Sequence, residues 1–265
     1  MSGLIQFFRL LRVFFRISFL NEAAYRANFF MQILQSCVSL GTALILFQTI
    51  FSYTTMLDGW RSTELLALVG IYFLMGGLMN FVLQPSMNRF MTDVRQGTLD
   101  FTILKPEDAQ VLVSVREVEI WRLVDVGVGM AVIVVALFEG GVNISLWGAL
   151  GFVVALLAGG IVIYSFILIL STLAFWFTKI ENILVIFQSM YEAGRWPVTI
   201  YPGWLRMMLT FIVPIAFAIT VPAEALTGRL VWSVLLGAVA LAVILLVGSR
   251  WFWKFGIRHY TGASA

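Results

Sequence analysis

Residues 146–176 contain no charged side chain, and apolar runs of comparable character recur along the whole sequence. About 20 apolar residues in a helix span the hydrocarbon core of a bilayer. A helix satisfies its own backbone polar groups there, so repeated runs of this length specify a bundle of membrane-spanning helices. Composition agrees: 61% of the 265 residues are hydrophobic and 12% are charged, with mean hydropathy +0.96. A soluble domain carries about 25% charged residues. The expected fold class is an all-α membrane protein.

The first span is expected over about 27–51 and the second over 64–83, ended by Pro85. A polar stretch, 85–119, follows. The third span occupies about 120–138, finishing in "VGVGMAVIVVALF", and the fourth about 146–176. Beyond Lys179 two readings stand. Hydropathy favours 204–222 as a span, although Pro214 removes a helix hydrogen bond at its centre. Alternatively 181–197 crosses, and 198–228 dips into the membrane and returns to the same side. Both give six crossings, closing with 230–250.

Residues 4–19 place Arg9, Arg12 and Arg16 within an arc of about 60°, with Phe and Leu over most of the remainder. That pattern fits an amphipathic helix lying in the membrane interface, its guanidinium groups reaching lipid headgroups. The three arginines also interrupt any signal-peptide core. With the amino terminus inside and 198–228 as a hairpin, eleven Lys and Arg fall in cytoplasmic segments, against Arg61, Arg206 and Arg229 outside. This asymmetry puts both termini in the cytoplasm of a multi-pass protein. Eight tryptophans, among them Trp60, Trp121, Trp147 and Trp253, fall near the expected span ends, as amphipathic rings at the interface do.

Several chemistries lack their parts. There is one histidine, His259, and one cysteine, Cys37, with no HExxH, GxSxG or P-loop sequence. A metallohydrolase, a nucleophilic hydrolase and an ATPase of the chain's own are therefore disfavoured. The net charge of +3 calls for no nucleic-acid partner. No soluble domain or internal repeat is visible.

Ionisable residues near the spans are candidates for a pathway or gate. Glu119, Arg122 and Asp125 repeat every three residues and form a ladder on one helix face. Glu192 and Arg195 form a similar pair. Gln32, Gln35, Gln48, Asn80 and Gln84 can hydrogen-bond between helices. Gly76, Gly77, Gly127, Gly129, Gly159, Gly160 and the Ser233/Gly237 pair are expected at helix contacts.

The stretch 95–106, "RQGTLDFTILKP", crowds apolar residues into a segment too short to cross. Gly97 breaks the preceding helix, Thr98 suits an N-cap and Asp100 the first turn. Lys105 and Pro106 close a helix of under two turns, roughly 10 Å long. Alone it is marginal, so docking must order it. Its apolar residues Leu99, Phe101, Ile103 and Leu104 are expected to be exposed for that purpose.

These residues resemble the loop between the second and third spans of ABC-2 type exporter permeases: a basic residue (Arg95), Gly-Thr-Leu (97–99), apolar residues and a Pro. The segment "EAGRWPVTIYPGWLRMMLTFIVPIAFAITVPAEALTG" is similar to that family's end of span five and external re-entrant hairpin. The ending "WFWKFGIRHYTGASA" resembles a subgroup of about 265 residues. The resemblance implies one permease domain over 1–265, with 97–106 as a cytoplasmic coupling helix on an ATPase subunit and 198–228 as the hairpin. It implies two ATPase copies holding ATP and Mg²⁺, a second permease (the same chain or a related one), and no cofactor on this chain. The function implied is transport across the cell membrane driven by ATP hydrolysed on another chain, so the chain itself is no enzyme. An ATP-independent channel or lipid scramblase is the alternative, then a membrane-embedded lipid-modifying enzyme.

Overall fold

The computed structural model describes residues 26–141, 145–177, 180 and 182–260. The segment 4–19, expected from the sequence to be interfacial through Arg9, Arg12 and Arg16, lies outside them. Helix α1 (Arg26–Tyr53) is followed by a two-stranded antiparallel hairpin, β1 (Met56–Leu57) and β2 (Trp60–Arg61). The turn is Asp58-Gly59, with both φ positive (49° and 78°), as a two-residue hairpin loop requires. Helix α2 (Ser62–Leu78) runs through a π turn (Met79–Leu83) into α3 (Gln84–Gln96). The short helices α4 (Asp100–Ile103) and α5 (Ala109–Ser114) lead to α6 (Leu123–Gly140) and α7 (Leu146–Thr172). Then come α8 (Ile183–Tyr191), α9 (Gly203–Met207), α10 (Ile215–Leu226) and α11 (Trp232–Ile257).

Among the described residues, five helices are long and apolar enough to cross a bilayer: 27–53, 62–96, 120–140, 146–175 and 232–257. A sixth candidate is the pair Gly203–Ile212 and Ile215–Leu226, bent by 95° at Val213-Pro214. Proline at 214 thus produces the break its missing N–H demands.

Three expectations are corrected here. Pro85 does not end the second span, which continues to Gln96 as one 35-residue helix. The π turn absorbs the proline: Gln84 N–H bonds back five residues to Met79, which re-phases the backbone before Pro85. Residues 182–197 are not one continuous α-helix. Helix α8 and its 3₁₀ extension Glu192–Arg195 run only about 20 Å. They stop beside the middle of α2, where the Tyr191 hydroxyl donates to the Tyr72 carbonyl at 2.9 Å. Finally, Trp60 and Trp253 are buried within the chain rather than turned outward: Trp60 lies under the Arg229 guanidinium, and Trp253 packs on Phe90 and Phe175. Trp147 remains exposed, as its position suggested.

Helix α2 is the core of the bundle, buried over most of its length. It packs closest on α6, where a Cβ added at Gly129 would sit 2.7 Å from the Gly70 carbonyl and 2.8 Å from Leu74 Cα. Gly159 meets Ala218 of α10 as tightly. Gly127 and Gly237 meet nothing within 4 Å among the described residues. Gln84 donates to Gln188 at 3.0 Å and Gln32 to Asp125 at 3.0 Å, so two of the span amides do bridge helices.

Candidate functional site

The loop 97–106 is built onto the end of α3. Gly97 takes the left-handed conformation (φ 71°), and its N–H bonds to Val94 while Thr98 N–H bonds to Asp93 at 2.9 Å. This Schellman arrangement turns the chain sharply out of the helix. Thr98 does not cap α4: its hydroxyl donates to the Asp93 carboxylate at 3.1 Å, and Leu99 occupies the cap position without a side-chain bond.

Asp93 is the hub of the loop. Its buried carboxylate receives Arg116, Arg89 (3.3 Å) and Thr98. Arg116 also donates to Thr102 at 3.2 Å, clamping α4 from beneath. Ser86 and Glu117 bond reciprocally, Ser86 donating to the Glu117 carbonyl at 2.8 Å and receiving its N–H at 3.1 Å. Burial pushes the Glu117 carboxyl above its ordinary value.

A second brace runs to α7 and α11. Asp108 caps α5 by accepting from Gln110 N–H at 3.0 Å. Arg250 of α11 donates to Asp108 (2.8 Å) and to the Gln110 side chain (2.6 Å). Gln110 donates to the Tyr164 hydroxyl of α7 at 3.1 Å. The Arg250 hydrogen bond holds the Asp108 carboxyl below the usual carboxylate range. The loop is therefore tied by polar contacts to three of the long helices.

Leu99 is the principal correction in this segment. It is fully buried beneath α4, with Thr102, and belongs to the main hydrophobic core of the bundle. Phe101 (73% exposed) and Leu104 (83%) point outward, with Ile103 partly uncovered beside them. Arg95, Lys105 and Pro106 are exposed around that apolar face, and Asp100 is half-buried in the first turn. Sequence pattern identified the segment but could not tell which side of so short a helix turns inward.

The candidate gate residues divide differently from the ladder. Glu119 precedes the helix and pairs with Arg122 at 3.0 Å, within a 3₁₀ turn (Ile120–Arg122). Asp125 turns instead to α1, accepting from Gln32 and Ser36. Arg195 does not pair with Glu192. Its guanidinium lies 5.1 Å from the Tyr72 ring centroid, and it donates to Ser39 at 3.4 Å. Arg122, Asp125, Glu192 and Arg195 nonetheless line one polar cavity of about 130 Å³ between α1, α2, α6 and α8. Arg122 and Asp125 come from the start of α6 and Glu192 and Arg195 from the end of α8, so packing of segments remote in sequence brings the two pairs together.

Sequence reasoning missed Asp93, Asp108 and Arg250 as organisers of the loop. The available signals were ordinary ones: Arg89 and Asp93 at i,i+4, and Asp108 immediately before an apolar helical turn. Among the described residues, no group of three His, Cys, Asp or Glu converges as metal ligands.

No curated protein matches the chain. The family described as "ABC-2 family transporter protein" matches residues 37–264. That range includes the loop, both braces and nearly all of the cavity. With five to six candidate spans, the match makes this a multi-pass membrane protein of the transport class, for which an ATP-binding cassette ATPase partner is implied. The chain belongs to the ABC-2 family of transporter proteins.

Proposed function

We propose that the chain is the permease subunit of an ATP-driven exporter in the cell membrane, with both termini cytoplasmic. The observation that carries this reading is the two-sidedness of 97–106. One side, Leu99 and Thr102, is fixed on the bundle, while Phe101 and Leu104 are presented to a partner. A free apolar face on a braced surface helix is the form expected of a docking element. Arg95 and Lys105 rim it with positive charge.

In this reading two ATPase subunits hold ATP and Mg²⁺, and a second permease, identical or related, completes the pathway. Closure of the ATPase pair pushes on α4. The Asp93 hub passes that displacement to α2–α3, and the Asp108–Gln110 brace passes it to α7 and α11. The segment 198–228, bent at Val213-Pro214, serves as the external re-entrant hairpin that follows the fifth crossing, its backbone tolerated because α10 is buried in protein. The polar cavity lies on the route through the membrane half of the complex. A channel or scramblase working without ATP has no use for such a face.

The test is co-purification with a candidate P-loop ATPase subunit. Phe101→Asp with Leu104→Asp is expected to abolish retention of the ATPase while membrane insertion and thermal stability are kept. Undiminished retention would remove the coupling-helix assignment.

A further inference from the structure

Four ionisable side chains line the polar cavity, and two of them, Asp125 and Arg195, carry opposite charges that do not neutralise each other. Asp125 is held by the neutral donors Gln32 (3.0 Å) and Ser36, and among the described residues it has no cationic partner. Arg195 rests on the Tyr72 ring and makes one long bond to Ser39; its Nε is buried with no acceptor among the described residues. Ionised groups inside a membrane bundle are costly unless something meets them. An occupant carrying both an anion and a cation would satisfy the pair at once.

A second cavity lies farther along the same helices. It measures about 940 Å³ and is walled mainly by apolar side chains of α1 and α6, including Leu44, Phe47, Val132 and Val135. Ser39, lining the polar cavity, and Leu40, lining the apolar one, are consecutive residues of α1. On α6 the walls pass from Asp125 to Glu139, a rise of roughly 20 Å. Laid end to end along α1 and α6, the two cavities offer a small charged head end and a long apolar end, the proportions of an amphiphile.

We propose that the two cavities together bind a zwitterionic amphiphile of the phospholipid class, its phosphate on Arg195, its ammonium on Asp125 and its acyl chains in the apolar groove. The guanidinium supplies donors in the planar fork that suits a phosphate, and Asp125 accepts from the ammonium. As the cargo of transport this amphiphile rests on the exporter reading; as a bound ligand it does not.

The experiment uses the purified chain in detergent, without ATPase, and native mass spectrometry. Phosphatidylethanolamine, phosphatidylglycerol and diacylglycerol of matched chains are offered separately. Phosphatidylethanolamine is expected to be retained about tenfold more tightly than either, as for a charge-assisted pair made only with the zwitterion. Arg195→Gln and Asp125→Asn should each erase that preference. Val135→Trp, which fills the groove without touching the charges, should weaken all diacyl ligands alike, so the proposal stays testable if a charge variant fails to fold. Equal retention of the three lipids, or a preference unmoved by the variants, overturns it. So does a lipid-free dimer in which a second copy covers the cavities. Failure here leaves ATPase association intact, whereas failure of the exporter reading leaves lipid selectivity intact.

Discussion

The backbone N–H of Glu119 donates to the carbonyl of Phe81 across 2.8 Å, and Phe81 lies four residues before Pro85. A proline cannot supply the helical N–H that this carbonyl would otherwise receive. The chain returning from the loop provides it instead, so the residue that seemed to end the second span anchors the start of the third. Amide exchange at Glu119 should therefore be slowed roughly fivefold or more, as for a bond worth about 1 kcal/mol, although it lies outside a regular helix. Pro85→Ala supplies a competing N–H and should reduce that protection; an amide exchanging freely in the parent protein contradicts the assignment.

Gly129 and Gly127 sit two residues apart on α6 and make opposite predictions. Gly129→Ala drives a methyl into the backbone of α2 and should destabilise by about 1–3 kcal/mol. Gly127→Ala meets nothing within 4 Å and should be neutral or slightly stabilising. Thermal unfolding in detergent distinguishes them, and equal effects would argue against the α2–α6 crossing.

Asp93→Asn leaves Arg116 without its carboxylate and strips the hub beneath α4. Breaking a buried pair costs about 3–5 kcal/mol, with the lower end expected because Arg116 is partly exposed. Limited proteolysis should cut within 97–108 much faster than in the parent, and Arg116→Ala should behave similarly. Resistance equal to the parent would mean that the loop is held by apolar packing alone.

The Asp108–Arg250 contact has a definite pH signature. Asp108 is held below its ordinary value near 3.8, so its contribution is present above that value and lost as pH falls through the depressed one. Both side chains are more than a third exposed, so Arg250→Gln should cost at most about 1 kcal/mol at pH 7. Stability curves of parent and variant should converge below about pH 3.8. Parallel curves across that range would show that the ion pair contributes nothing.

The long helices were legible because a bilayer needs long apolar runs, and 146–176 announces itself on hydropathy alone. The break at Pro214 followed equally directly. Pro85 misled because a π turn is a backbone adjustment with no residue signature of its own. Leu99 misled for a related reason: in a four-residue helix no period exists to mark the buried side, and Asp93 and Arg116 decide it from other segments. The cavity residues were named individually, yet their grouping depends on α1 and α8, which are remote in sequence.

Site-directed cross-linking along 99–104 is the most direct measurement of the central claim. Single cysteines at 99, 101 and 104, in a Cys37→Ser background, would be joined to the ATPase in isolated membranes. Strong adducts are expected from positions 101 and 104 and none from 99, following the exposure of Phe101 and Leu104 and the burial of Leu99. Adducts from 99 equal to those from 101, or no adduct anywhere, would contradict the account.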